Sequence, residues 1–275
     1  MLRVLSRVYN YFFNPLALVK FDIKKPDDRY TETSNFLMKF AEIETSRAFK
    51  AMMAAYDKFK AEHPNFTPLI IFENADQCEY TNMHATLGEL SLDEEEYEEQ
   101  NVADKSDFFT ENFNYTLSAL NSNKKPLSEF YGKIDLSSDD ELKILRRINN
   151  LPFLAIDAEV DVYLCPTKVS NECFARMING YFAGDFTPHE SYALICYLKE
   201  HFGYEFIGLG ATNLLFRRDK PLDQNMAQAL FDELGKIYAV EFDKISEALN
   251  NVKSDTHLIL PYVESLRDLL SDDEM

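Results

Sequence analysis

The 275-residue chain has no tryptophan, only eight glycines and four cysteines, and far fewer bases than acids. Each shortage removes a class of function. A phosphate-cradling loop needs several glycines whose amides converge ahead of a helix. Here Gly208-Leu209-Gly210 stands alone between two apolar runs, and a hairpin turn is the simpler reading. Neither G-x-x-x-x-G-K-[ST] nor G-x-S-x-G occurs, so the sequence carries no signature of a P-loop or a serine-hydrolase elbow. Cys78, Cys165, Cys173 and Cys196 form no C-x-x-C, and no H-E-x-x-H is present, so metal-ligand spacing is missing as well. Reduced core thiols suit a chain of this length better than a disulfide framework does. The expectation is a protein with no cofactor and no metal.

Long hydrophobic runs are also lacking: none reaches the ~18 to 20 apolar residues that span a bilayer. The apolar stretch in the first 20 residues is broken by Asn10, Asn14 and Pro15, and no clear small-residue cleavage site follows. This predicts no signal peptide and a cytoplasmic location. Leu5, Val8, Tyr9, Phe12 and Phe13 read as a helix packed on the protein's own core rather than as a membrane contact.

Positive charge is the scarcest resource. There are 28 Lys+Arg against 47 Asp+Glu, a formal charge of −19. The first 30 residues hold six bases and three acids, so the rest of the chain is more negative still. Such a surface repels phosphate backbones over a Debye length of about 8 Å. Nucleic acid is therefore an unfavourable partner, and a basic protein a favourable one. Hydrophobic residues at 46% and charged residues at 27% place the chain among folded globules. At this length one large domain and two smaller ones are both open.

Along the chain, Ala48, Met52, Tyr56 and Phe59 recur at helical spacing until Pro64, and Pro68 to Phe72 (PLIIF) reads as a buried strand. Residues 89–107 carry nine acids and one lysine, a solvated acidic segment. Phe109, Phe113, Leu117 and Leu120 mark the next helix, and Asn121 to Pro126 is the best linker. It divides the chain into an N-terminal helix-strand region, 1–125, and a C-terminal α+β domain, 126–275. Ser138 and Glu141 form an S-x-x-E capping box opening a helix. Pro152 to Asp157 and Val160 to Leu164 read as two strands, and Asn171 to Ile178 as a helix. Thr187, Pro188 and Glu190 start a helix that Gly203 ends. Strands at 204–209 and 213–216, a helix opened by Asp223, and a last strand at 257–260 complete a mixed order. The fold class is α+β, a mixed sheet of short strands packed with amphipathic helices.

The stretch from Gly180 to Ile245 resembles a bacterial family known as domain of unknown function 4253. The resemblance is carried by Gly180 and Gly184, the Pro188-led helix ending in Phe202-Gly203, the hairpin Ile207 to Phe216, and then Pro221, Ala227, Leu230 and the Tyr238-Ala239…Asp243 segment. The family's tryptophans are absent here, and Glu241 stands where its cysteine precedes the aspartate. The resemblance implies a fold and a bacterial origin more than a reaction. Some relatives look like immunity proteins encoded beside toxins.

Candidate site residues follow from charge and from the glycine turn. Glu94, Glu95, Glu96, Glu98 and Glu99 form a face suited to steering a cationic partner, with Tyr97 and Tyr80 as aromatic anchors. Asp185, in the glycine-bracketed aromatic loop, and His189, in the first turn of the following helix, could contact a ligand. Cys196, set among Leu194, Ile195, Tyr197 and Leu198, reads as a core thiol rather than a nucleophile. The leading expectation is an acidic binding protein of the immunity type that neutralises a basic toxin by surface occlusion. The alternatives are an enzyme with a pocket near Gly180–His189, requiring Asp185 and His189 within hydrogen-bond reach, and an adaptor docking through its N-terminal aromatic helix.

Overall fold

A computed structural model describes residues 20–23, 36–39, 47–93, 105–157, 159–267 and 269. The N-terminal stripe from Leu5 to Phe13, the acidic run Glu94, Glu95, Glu96, Tyr97, Glu98 and Glu99, and the tail from Ser271 lie outside the described residues.

Seven described strands form one sheet: β1 (Lys20–Ile23), β2 (Phe36–Lys39), β3 (Thr67–Glu73), β4 (Glu159–Cys165), β5 (Glu205–Gly210), β6 (Asn213–Arg217) and β7 (His257–Pro261), in the order β1-β2-β4-β3-β5-β6-β7. All neighbours are antiparallel except β3 and β5, which run parallel. Strands from both sides of residue 125 therefore share hydrogen bonds in a single mixed sheet, and the fold is α+β. Every residue of β3 is buried, and β5 is buried from its second residue on. A strand covered on both faces needs a continuous apolar run, which Leu69, Ile70, Ile71 and Phe72 supply.

Helix α1 (Ala48–Glu62) buries Ala48, Ala51, Met52, Ala55, Tyr56 and Phe59, a stripe at steps of three and four that packs on β3. Helix α2 (Ala75–Ala85) follows β3 directly. Asn74, in the left-handed region with φ 43°, caps it by accepting from the Gln77 amide. This helix buries only Cys78 and Thr81, so it lacks the apolar periodicity that announces a helix. Helix α3 (Lys105–Ser122) buries Phe113 and Leu120 of the expected stripe, together with Thr116, while Phe109 and Leu117 are half-buried.

In α4 (Asp139–Asn150), Ser138 caps as expected by accepting from the Glu141 amide, but the reciprocal half of the box is not made. The Glu141 carboxylate accepts instead from Ser265 Oγ at 2.7 Å and the Leu266 amide at 2.8 Å, tying the helix start to the C-terminal segment. Helix α5 (Pro188–Phe202) has the full capping box between Thr187 and Glu190, and Gly203 ends it at φ 72°. Helices α6 (Gln224–Ile237), capped by Asp223, and α7 (Phe242–Ala248) complete the described α-helices.

Two expectations are corrected. Pro152–Ala155 is a 3-10 turn, not a strand. Proline at its start has no N–H to give a ladder, and Asp157 beyond it donates its amide to the Phe72 carbonyl instead. The helix expected at Asn171 to Ile178 is present as a 3-10 helix over Ser170–Arg176, inserting Cys173 and Phe174 into the core, so here only the type and the bounds change. Short apolar runs do not distinguish these states by periodicity.

Candidate functional site

A cluster of buried polar groups lies at the carboxyl ends of the parallel strands β3 and β5. Glu73 closes β3 and is 8% exposed. Its carboxylate accepts from Thr212 Oγ1 at 2.8 Å and the Thr212 amide at 3.2 Å, with Asn213 Nδ2 at 3.4 Å. Burial nevertheless dominates over these bonds and pushes its pKa from 4.5 to about 7, with the Asp157 carboxylate adding to the rise. Close by, the Tyr262 hydroxyl faces the carbonyls of Ala211 at 2.7 Å and Gly210 at 2.9 Å, and the Cys78 thiol donates to the Glu73 carbonyl at 3.4 Å. Burial pushes the thiols of Cys78, Cys173 and Cys196 up, away from the thiolate that nucleophilic chemistry requires.

Above this layer lies the glycine turn. Gly180 has φ +110°, and a Cβ there would lie 2.0 Å from the Phe186 carbonyl oxygen, so only glycine allows the chain to double back. The loop is held at both ends: the Ile178 amide donates to Asn82 Oδ1 at 2.8 Å, and the Phe186 amide to the Tyr262 carbonyl at 2.8 Å. Asp185 is 4% exposed rather than offered to a ligand. Burial raises its pKa to about 6; a backbone hydrogen bond from Glu264 opposes that rise, the Glu264 charge adds to it, and Lys133 opposes it. His189 is half-buried; burial lowers its pKa, Lys125 lowers it further, and Glu89 and Glu190 act in the opposite direction. Asp185 and His189 make no hydrogen bond to each other and do not figure among the charges acting on one another. The turn therefore does not assemble the acid–base pair on which an enzyme reading depends.

What the turn does present is aromatic. Tyr181 and Phe182 are 47% and 48% exposed, and their rings meet at 5.3 Å. Tyr181 stacks on His84 of α2 at 4.5 Å, and His84 meets the edge of Tyr80, itself 48% exposed, at 4.5 Å. Met83 and Leu87 extend the same segment at 52% and 72% exposed. Four rings thus form a continuous row of one stacked and two edge-on contacts, with the Asn82 hydrogen bond tying the two segments together and His84 half-buried between the exposed rings. Apolar side chains scattered singly on a surface are ordinary, whereas a contiguous patch marks an interaction site.

The segments that carry this row are acidic in sequence, although Lys133 acts on Asp185 and Arg176 lies against Tyr163 near Glu79. Between Lys60 and Lys105 the chain carries no Lys or Arg and twelve Asp or Glu, and from Met177 to Leu198 it again has no Lys or Arg. The exposed acids Asp76, Glu79, Glu89 and Glu264 belong to the segments that build or contact the patch. Of the sequence-derived candidates, Tyr80 lies in the row, while Asp185 lies buried beneath it. Tyr181 and Phe182 did not stand out as anchors in the sequence; the paired glycines around them are the signal that could have found them.

No family model matches the chain, and no curated protein and no solved structure matches it. Among the described residues, no three of His, Cys, Asp and Glu converge as ligands for a metal ion, and no helix is long and apolar enough to cross a membrane.

Proposed function

We propose that this protein is a binding protein whose docking surface is the Tyr80–His84–Tyr181–Phe182 row within its anionic surround, and whose partner is a basic protein. The observation that carries the reading is the row itself: four rings in successive contact, with Tyr80, Tyr181 and Phe182 exposed and His84 half-buried between them. Aromatic side chains supply large contact area at low entropic cost and dominate interface energetics. The surrounding acids give such an interface its electrostatic complement, accelerating encounter with a cationic partner and excluding an anionic one.

The acidic run Glu94 to Glu99 continues the chain from α2 and adds to that bias in sequence. The resemblance of residues 180–245 to domain of unknown function 4253 favours a bacterial immunity role, with a basic toxin as the protein occluded in the cytoplasm. In that role the protein needs no reaction of its own.

Binding to basic proteins encoded beside this chain provides the test. Replacing Tyr80, Tyr181 and Phe182 by alanine is expected to weaken the cognate complex at least 100-fold, with the circular dichroism of the free protein unchanged. Raising salt from 50 to 500 mM is expected to weaken the wild-type complex steeply. Wild-type affinity in the triple variant, or affinity indifferent to salt, contradicts the reading.

A further inference from the structure

Lined by none of the residues of the aromatic row, a cleft of about 170 Å³ lies between the last turns of α1 and α5, the start of β5 and the end of β6. In a chain with 28 bases and 47 acids, its charged lining is Lys60, Lys199, Arg217 and Arg218 against Asp57, Glu205 and Asp219, so bases are in the majority here. Three of these have an ordinary explanation. Lys60 and Lys199 stand in the last turns of their helices, where a cation complements the helix dipole. Both reach Glu205, at 3.7 and 2.8 Å, and Arg217 pairs with Asp57 at 2.6 Å.

Two groups remain that neither helix ends nor ion pairs account for. The Arg218 guanidinium lies over the Tyr204 ring at 5.6 Å, and its Nη1 is buried with no hydrogen-bond acceptor. The Tyr56 side chain, 2% exposed, lines the cleft with its hydroxyl unpartnered. Burial first, and then the Cys173 thiol, push the pKa of that hydroxyl up; Glu205 of the cleft wall adds to the rise and Arg217 of the same wall opposes it. Buried donors left without acceptors cost free energy, about 1 to 3 kcal/mol each, unless a ligand completes them. The open Arg218 Nη1 and the Tyr56 hydroxyl are donors suited to an oxyanion, in a cleft where Lys60 and Lys199 share the single Glu205 carboxylate.

The geometry points to an anion-binding site in this cleft, taking a phosphate or carboxylate group of a small molecule, with Arg218 and the Tyr56 hydroxyl as its inner donors and Lys60 and Lys199 at its mouth. It is independent of the aromatic row and of the partner assigned to that row.

Titration calorimetry of the full chain at pH 7.5 and constant ionic strength tests it, with inorganic phosphate, acetate and chloride as separate probes. Saturable one-site binding of phosphate or acetate, absent with chloride, is expected, and the stronger of the two names the ligand group. Arg218→Gln is expected to weaken that binding at least tenfold, while Lys143→Gln, on an exposed position of α4, leaves it unchanged. Should Arg218→Gln fail to fold, Lys199→Gln is expected to weaken binding several-fold in its place. Heats that never saturate with phosphate or acetate, or a cleft variant that binds as the wild type does, overturn the site.

Discussion

Between pH 5 and pH 8 the wild-type protein is expected to lose about 3 kcal/mol of stability that a Glu73→Gln variant keeps. The cause is the burial of Glu73 at the end of β3, which lifts its pKa from 4.5 to about 7. In that window the folded state holds one proton that the unfolded state has already released. The unfolded state therefore binds fewer protons, and stability falls as pH rises. The contribution is fully present below pH 4.5 and gone once the folded carboxyl has ionised above pH 7. Glutamine keeps an acceptor for Thr212 and removes the titration, so the variant loses the slope. Other groups also titrate here: burial lowers the pKa of His257 and His189, which works in the opposite direction. The difference between variant and wild type isolates Glu73. Urea midpoints at half-unit pH steps measure it, and parallel curves for the two proteins would refute the assignment.

Asn149→Ala is expected to cost about 3 kcal/mol or more, seen as a lowered urea midpoint at every pH. β7 is the end strand of the sheet, paired on one side with β6. On its other side Asn149, fully buried in the last turn of α4, acts as a one-residue strand. Its Oδ1 accepts from the Ile259 amide at 2.9 Å, and its Nδ2 donates to the Ile259 carbonyl at 2.9 Å and the Leu145 carbonyl at 3.0 Å. The Asn149 carbonyl in turn meets His257 Nε2 at 2.9 Å. Alanine leaves an amide and a carbonyl of the sheet edge buried and unpaired. Asn149→Asp tests the geometry separately. It keeps the acceptor but replaces the donor with a carboxylate facing the Ile259 carbonyl, and is expected to be no better than alanine above pH 7.

Local signals were readable where neighbours in sequence are also neighbours in space. The capping box of α5, its terminal glycine and the apolar run of β3 are of this kind, and they appear where the residues placed them. The Glu73 environment was not readable, because its partners Thr212 and Asn213 come from 139 and 140 residues further along the chain. Helix α2 was hidden for a physical reason tied to the proposed function. Its solvent side mixes Tyr80 and Met83 with Asp76 and Glu79, and only Cys78 and Thr81 are buried, so the amphipathic contrast is missing. Tyr80 was a candidate anchor from its type alone, but its alignment with Tyr181 through His84 is a product of tertiary folding. Asp185 shows the reverse: a glycine-bracketed loop suggested an exposed acid, and the loop instead turns its acid inward and its rings outward.

Hydrogen exchange of the complex with a basic protein encoded alongside this chain reads the docking surface most directly. Strong added protection is expected in residues 75–93 and 178–186, the two segments that carry the rings, with α6 and α7 unchanged. Protection that spares both ring-bearing segments and falls elsewhere on the molecule would contradict the central claim.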